Sequence, residues 1–247
     1  MPFFNFPFTA DKTVKNRALI VSVGNFYPGE DLSKRHGVKR DNQRLHEILS
    51  KLGFSVKIIM DIEADEIYEA ESKKTVKDCF VGVISSHGEE GVVFGADGGS
   101  RLVEGHGLDE GVEADSSFSE EEDGVSELFS IPIDTAVMYA TSPGYGAFMH
   151  PAGSELIQTF CNLLEEEGGP DLEITRLLTR INFQVAYNFK SRGKTLGGKK
   201  QMPCFVTRFT REVFPFRKMA AEEDLSLTFA ATQLIDEPKR SRKSSIS

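Results

Sequence analysis

Only two residue types in this sequence readily move protons or attack a carbonyl near neutral pH, and both are scarce. There are five histidines and three cysteines in 247 residues. The histidines are His36, His46, His87, His106 and His150, and none stands at metal-ligand spacing from a Cys, Asp or Glu. Neither a metal nor any other cofactor is expected. His46 sits beside Leu45 within a helical pattern and reads as a surface or packing residue. His87 differs in its setting, Ser85-Ser86-His87-Gly88-Glu89-Glu90-Gly91, just past an apolar run. A histidine at the carboxyl end of a strand can reach a substrate, and a neighbouring glycine lets backbone N–H groups approach an oxyanion. A base of this kind needs a nucleophile, and the thiols are poorly suited. Cys79 opens a strand, Cys161 lies on an apolar helix face and Cys204 begins another strand, so each reads as a small buried hydrophobe. Gly95-Ala96-Asp97-Gly98-Gly99 has no helical pattern after it and reads as a turn, not a phosphate loop.

The elements that must hold His87 alternate in period. Ala18–Val23 is a short β-branched run suited to a strand buried on both faces. Leu45, Ile48, Leu49 and Leu52 then recur at helical spacing, with Gly53 at the C-cap. Phe54–Ile59 and Cys79–Ile84 read as a second strand and a third, buried one. Between Ser85 and Ile131 neither period is found. The alternation resumes with a strand at Ala136–Ala140 and a helix over 154–167. A second helix carries Ile174, Leu177, Leu178, Ile181 and Val185, and a last strand runs Cys204–Phe209. This order predicts an α/β fold with a mostly parallel sheet, whose sites lie beyond the carboxyl ends of the strands.

Four segments resemble the caspases, the Asp-directed cysteine endopeptidases of apoptosis. Asp78–Gly91 resembles the segment of the catalytic histidine, and Leu32–Gly37 the loop with one substrate-clamping arginine. Ile131–Asp134 through Ser142-Pro143-Gly144-Tyr145 resembles the start of the small subunit, and Lys199–Val206 its last strand. The resemblance implies a three-layer sandwich with helices on both faces of the sheet. It implies His87 as the base, Gly88 as oxyanion donor, Arg35 as carboxylate clamp, and dimerisation through Cys204–Phe209. The short apolar leader resembles effector members more than initiators.

Two expected parts are missing. The family's Gln-Ala-Cys-Arg-Gly follows the histidine by roughly 50 residues, yet no Gln-Ala-Cys occurs here. The nearest match is Leu102-Val103-Glu104-Gly105, with Val103 in the place of the thiol. The Trp and second clamping Arg are replaced by Phe148-Met149, so the substrate-binding stretch falls on Phe148 without a donor. The missing segment would also carry a central strand. Its removal leaves backbone groups to be paired elsewhere.

Charge is unevenly spread. Ten carboxylates and no Lys or Arg lie in Glu104–Glu127, which carries −10 of a net −9 and leaves the remainder at +1. Within it, Asp115-Ser116 resembles the inter-subunit processing site of maturation, and its exposed acidic setting suits cleavage. The expected organisation is a leader 1–12, a large-subunit-like region 13–115, an acidic linker 116–130, a small-subunit-like region 131–217 and a C-terminal extension 218–247. No apolar run is long enough to span a bilayer, no signal peptide pattern or N-glycosylation sequon occurs, and three dispersed cysteines suit a reducing cytoplasm. The basic stretch Lys239–Lys243 reads as a terminal tail; neither nucleic acid nor membrane is expected as a partner. Three functions stay open: an impaired homologue acting by pairing with an active caspase, an active Asp-directed endopeptidase, and an unstable truncated product.

Overall fold

The computed structural model describes residues 15–69, 78–89, 92–102, 131–142, 145–191 and 197–217. All belong to one compact unit, Met1–Arg217. Strand β1 (Arg17–Ser22) lies between β2 (Ser55–Met60) and β3 (Phe80–Ser85), parallel to both, with Ile20 level with Ile58 and Val83. Helix α1 (Val38–Lys51) makes the crossover from β1 to β2. It ends where Gly53 takes φ +87°, the left-handed conformation that glycine adopts without penalty.

Because strand side chains alternate, β1 serves two layers. Ala18 and Ile20 face a large core built from Leu45, Ile48 and Leu49 of α1 together with two later helices, α3 (Glu155–Glu165) and α4 (Ile174–Asn188). Leu19 and Val21 face the opposite side, against Ile67 of the short helix α2 (Ala64–Glu69) and Val93. Helices therefore lie on both faces of the sheet, the three-layer α/β sandwich expected. Each buried Leu or Ile contributes roughly 1.5–3 kcal/mol, and ten such side chains in the larger cluster dominate its stability.

Strands β7 (Ala136–Tyr139) and β10 (Cys204–Thr207) form a separate antiparallel pair, Val137 opposite Val206. Ala136, Met138 and Phe205 pack on the same large core as Val81 and Val83 of β3. Among the described residues, however, β3 pairs only with β1, and β7 only with β10. The expectation of a fully buried third strand is corrected: β3 is half-buried, and Ile84 is 50% exposed. The cause is its outer edge, which no described strand covers.

The stretch read as patternless from Ser85 to Ile131 also needs correction in its first part. β4 (Gly88–Glu89), β5 (Val92–Phe94) and β6 (Ser100–Leu102) form an antiparallel meander. Strands of two or three residues are too short for alternation to register. Two more, β8 (Met149–His150) and β9 (Gly153–Ser154), make a small ribbon before α3.

Candidate active site

His87 stands two residues beyond the carboxyl end of β3, as its sequence setting predicts. Its ring is held from two sides. Nε2 lies 2.7 Å from the Ser33 carbonyl oxygen and 3.4 Å from Ser33 Oγ, and the Phe26 ring sits 5.3 Å away, tilted. A carbonyl only accepts, so Nε2 carries the proton of the neutral ring, and the Nδ1 lone pair is left to act as a base. An open depression of about 370 Å³ adjoins it, lined by Glu30, Asp31, Leu32, Ser33 and His87.

Gly88 follows in β4. The Phe94 N–H donates to the His87 carbonyl at 3.0 Å, which makes 87/94 a bonded pair of the antiparallel ladder. The next pair, Gly88 with Val93, is then of the non-bonded kind, and the Gly88 N–H points away from β5. A Cβ on Gly88 would come within 2.5 Å of the Val92 carbonyl oxygen, so only glycine fits this turn. An N–H beside the base, directed out of the ladder, is the donor an oxyanion requires.

Arg35 joins the same corner. Its Nη1 donates to the carbonyls of Val23 at 2.7 Å and Ser85 at 2.8 Å, and its Nη2 donates to Ser85 Oγ at 3.0 Å. It thus ties the carboxyl ends of β1 and β3 together beneath His87. These contacts use three of five N–H groups and leave Nε–H with the second Nη2–H, the edge that binds a carboxylate bidentately. Burial holds its pKa down at about 10, and the Asp41 charge opposes that shift. A guanidinium desolvated by carbonyls instead of by a carboxylate is poised to take an anion.

Phe148 is half-buried and stacks on Phe189 at 5.2 Å. Its N–H donates to Gln201 Oε1 at 3.1 Å, while Gln201 Nε2 donates to the Ala140 carbonyl at 2.7 Å, so a buried glutamine fixes Phe148 beside the end of β7. Phe148 offers an apolar wall and no hydrogen bond from its side chain. Val103, Asp115 and Ser116 lie outside the described residues.

All three cysteines are described, and none is disulfide-bonded. Cys79 lies at the amino end of β3, roughly 20 Å along the strand from Ser85 at the end that precedes His87, and burial pushes its pKa up to about 11. Cys161 is 0% exposed within α3, and burial pushes it to about 12. Cys204 sits within the β10–β7 pair with its thiol directed at the Thr141 carbonyl, 3.6 Å away. The structure therefore assembles His87, Gly88 and Arg35 in one corner and brings no thiol to them.

The family model of the caspase domain matches residues 15–106 and 99–214. The chain belongs to the caspase family. Among curated caspases, caspase-3 of Mesocricetus auratus is 31% identical over 230 residues, covering 79% of this chain and 82% of that protein. Caspase-7 of Gallus gallus is 28% identical over 236 residues, covering 80% of this chain and 76% of its own. The structure brings together His87, Gly88 and Arg35, the residues for which the resemblance to caspases implied the roles of base, oxyanion donor and carboxylate clamp. Sequence reasoning missed Ser33, whose carbonyl sets the histidine tautomer, and Ser85, which anchors Arg35. Both lie inside the segments that carried the resemblance, but a backbone acceptor leaves no mark on residue type.

Proposed function

We propose that this chain is a catalytically impaired caspase-family protein of the apoptotic pathway that acts in the cytoplasm by pairing with an active caspase. The observation that carries the reading is that the described contacts of His87 are with Ser33 and Phe26 and not with any thiol, while two of the three thiols are pushed to about 11 and 12 by burial. The family match supports it, because its two stretches meet and overlap at 99–106, where the nucleophile segment belongs. The base, the glycine turn and Arg35 remain organised, which suits a protein that keeps the shape of a caspase and can hold an Asp side chain without cutting after it. The strand Cys204–Phe209 is the proposed pairing element. Its paired portion, Cys204–Thr207, has one edge on β7 and no described strand on the other.

The test is turnover of a fluorogenic Asp peptide by purified, folded protein and by His87→Ala. It is run together with cross-linking of the chain to an active effector caspase. No turnover in either protein, with a cross-linked heterodimer, is the expected result. Turnover lost in His87→Ala makes the chain an active endopeptidase instead. Absence of any cross-linked pair removes the partner role.

A further inference from the structure

The solvent face of α4 has a composition that its structural role does not require. Leu177, Leu178, Ile181 and Val185 bury one side of the helix. At 100° per residue, Arg176, Arg180, Phe183 and Tyr187 fall within about 60° of each other on the other side, a straight stripe roughly 16 Å long. Phe183 is 60% exposed and Tyr187 71%, and their rings stack 4.8 Å apart, so they form one apolar patch instead of two isolated rings. The helix contains no Asp or Glu. The nearest carboxylate in sequence, Glu173, is turned inward, accepting from the N–H groups of Thr175 and Arg176 at the helix start.

More positive charge gathers at the other end. Lys200 Nζ donates to the Tyr187 carbonyl at 2.7 Å, and Lys190 and Lys199 are exposed beside it. Stacked aromatics bordered by arginines are the composition of an interface centre, where aromatic and Arg side chains hold most of the binding energy. Exposed apolar area rimmed by polar groups marks a contact surface.

We infer that this face of α4 docks an acidic segment of a partner protein with the pattern acidic-x-acidic-x-apolar. Arg176 and Arg180 are one helical turn apart, about 6 Å. Alternate residues of an extended segment are spaced about 6.6 Å. Two carboxylates at i and i+2 therefore meet both guanidinium groups, and the apolar residue that follows lies on Phe183 and Tyr187. Charge complementarity selects the partner: the stripe and its lysines are cationic with no acid in the helix to neutralise them. Nucleic acid is disfavoured because the chain as a whole carries −9 and repels a polyanion at long range. The stripe residues Arg176, Arg180, Phe183 and Tyr187 belong neither to the His87 corner nor to strand β10, so the inference is argued without the proposed pairing.

The test uses full-length protein and a fluorescein-labelled peptide, Glu-Ser-Glu-Ser-Phe-Ser, followed by anisotropy. The expected result is saturable binding that weakens at least tenfold between 0.05 and 0.5 M salt. Phe183→Ser and the pair Arg176→Glu, Arg180→Glu should each weaken it at least tenfold, with unchanged thermal melts because all three positions are exposed. A peptide with Lys for Glu should not bind. Equal binding by wild type and variants overturns the inference. So does binding of a twenty-nucleotide oligo(dT) in place of the peptide. A self-associating chain that becomes monomeric in Phe183→Ser also overturns it, by making a second copy the occupant.

Discussion

Asp41 on α1 accepts the Ser154 N–H at 3.0 Å on each carboxylate oxygen, so α1 holds the start of a helix 113 residues later. Ser154 is the N-cap residue of α3, but its own hydroxyl makes no capping bond. Asp41 instead holds the N–H of Ser154 itself, and also accepts from Gln158 Nε2 at 2.6 Å. The carboxylate is 1% exposed, and Gly153 is required beside it, since a Cβ there would stand 2.5 Å from Asp41 Oδ1. Arg44, one turn along α1, extends the clamp to Gln158, Asn162 and Glu165. Helices α1 and α3 are thus joined by buried polar contacts as well as by the core. Asp41→Ala is expected to lower stability by about 2–3 kcal/mol, because it leaves buried donors without a charged acceptor. Urea unfolding at pH 7 checks this, as a lower midpoint with an unchanged slope. Asp41→Asn should lose less than the alanine variant.

The cysteines predict a chemical signature. With pKa values of about 11 and 12, Cys79 and Cys161 hold well under about 0.1% thiolate at pH 7.5, and only the thiolate attacks. Native protein treated with iodoacetamide should therefore retain both thiols for hours, while urea-unfolded protein is alkylated in minutes. Mass spectrometry of the digests reads the difference. Rapid native alkylation of either thiol, slowed by His87→Ala, would identify a working Cys–His pair and contradict the impaired reading.

Asp61 is expected to contribute to acid sensitivity. Burial acts to raise its pKa. Hydrogen bonds from the Asn25 side chain and from the Gly24 and Asn25 N–H groups outweigh burial and hold it below its ordinary 3.8, with help from Lys34. A carboxyl whose folded pKa lies below its unfolded one stabilises fully above the unfolded value, and that stabilisation disappears as pH falls through the folded value. Asp61→Asn should thus be less stable than wild type at pH 7, and the difference should shrink below pH 4. Denaturant titrations at pH 7, 4 and 3 measure both. A constant difference across that range assigns Asp61 a purely packing role.

Ile84 tests the outer edge of β3. A half-exposed β-branched residue on a strand edge that no described strand covers invites pairing with other chains. Ile84→Lys is expected to raise the soluble fraction at high concentration while changing stability by no more than about 0.5 kcal/mol. Light scattering and a thermal melt separate the two effects. A loss of several kcal/mol would mean that Ile84 is covered in the folded chain.

Much of this protein was legible in its residue order. The strand beginning Ala18-Leu19-Ile20-Val21, the helix on Leu45, Ile48 and Leu49, and the later helix on Leu177, Ile181 and Val185 are set by local periodicity. Each is present in the structure as the type of element its periodicity implies. His87 and Gly88 stood out as candidates because side-chain chemistry and a glycine are written in residue identity. The short meander β4–β6 and α2 did not, since strands of two or three residues and a helix of fewer than two turns give no resolvable period.

Tertiary structure alone decided the rest. The Ser33 carbonyl on His87, the Val23 and Ser85 carbonyls on Arg35, and the Asp41 contact at the start of α3 join groups 12 to 113 residues apart. Most are contacts to backbone atoms, which every residue carries and no sequence pattern distinguishes. Sequence determines which side chains exist and which faces are apolar. Packing of those faces determines which backbone groups stand close enough to hold a histidine in one tautomer or to draw a guanidinium out of water.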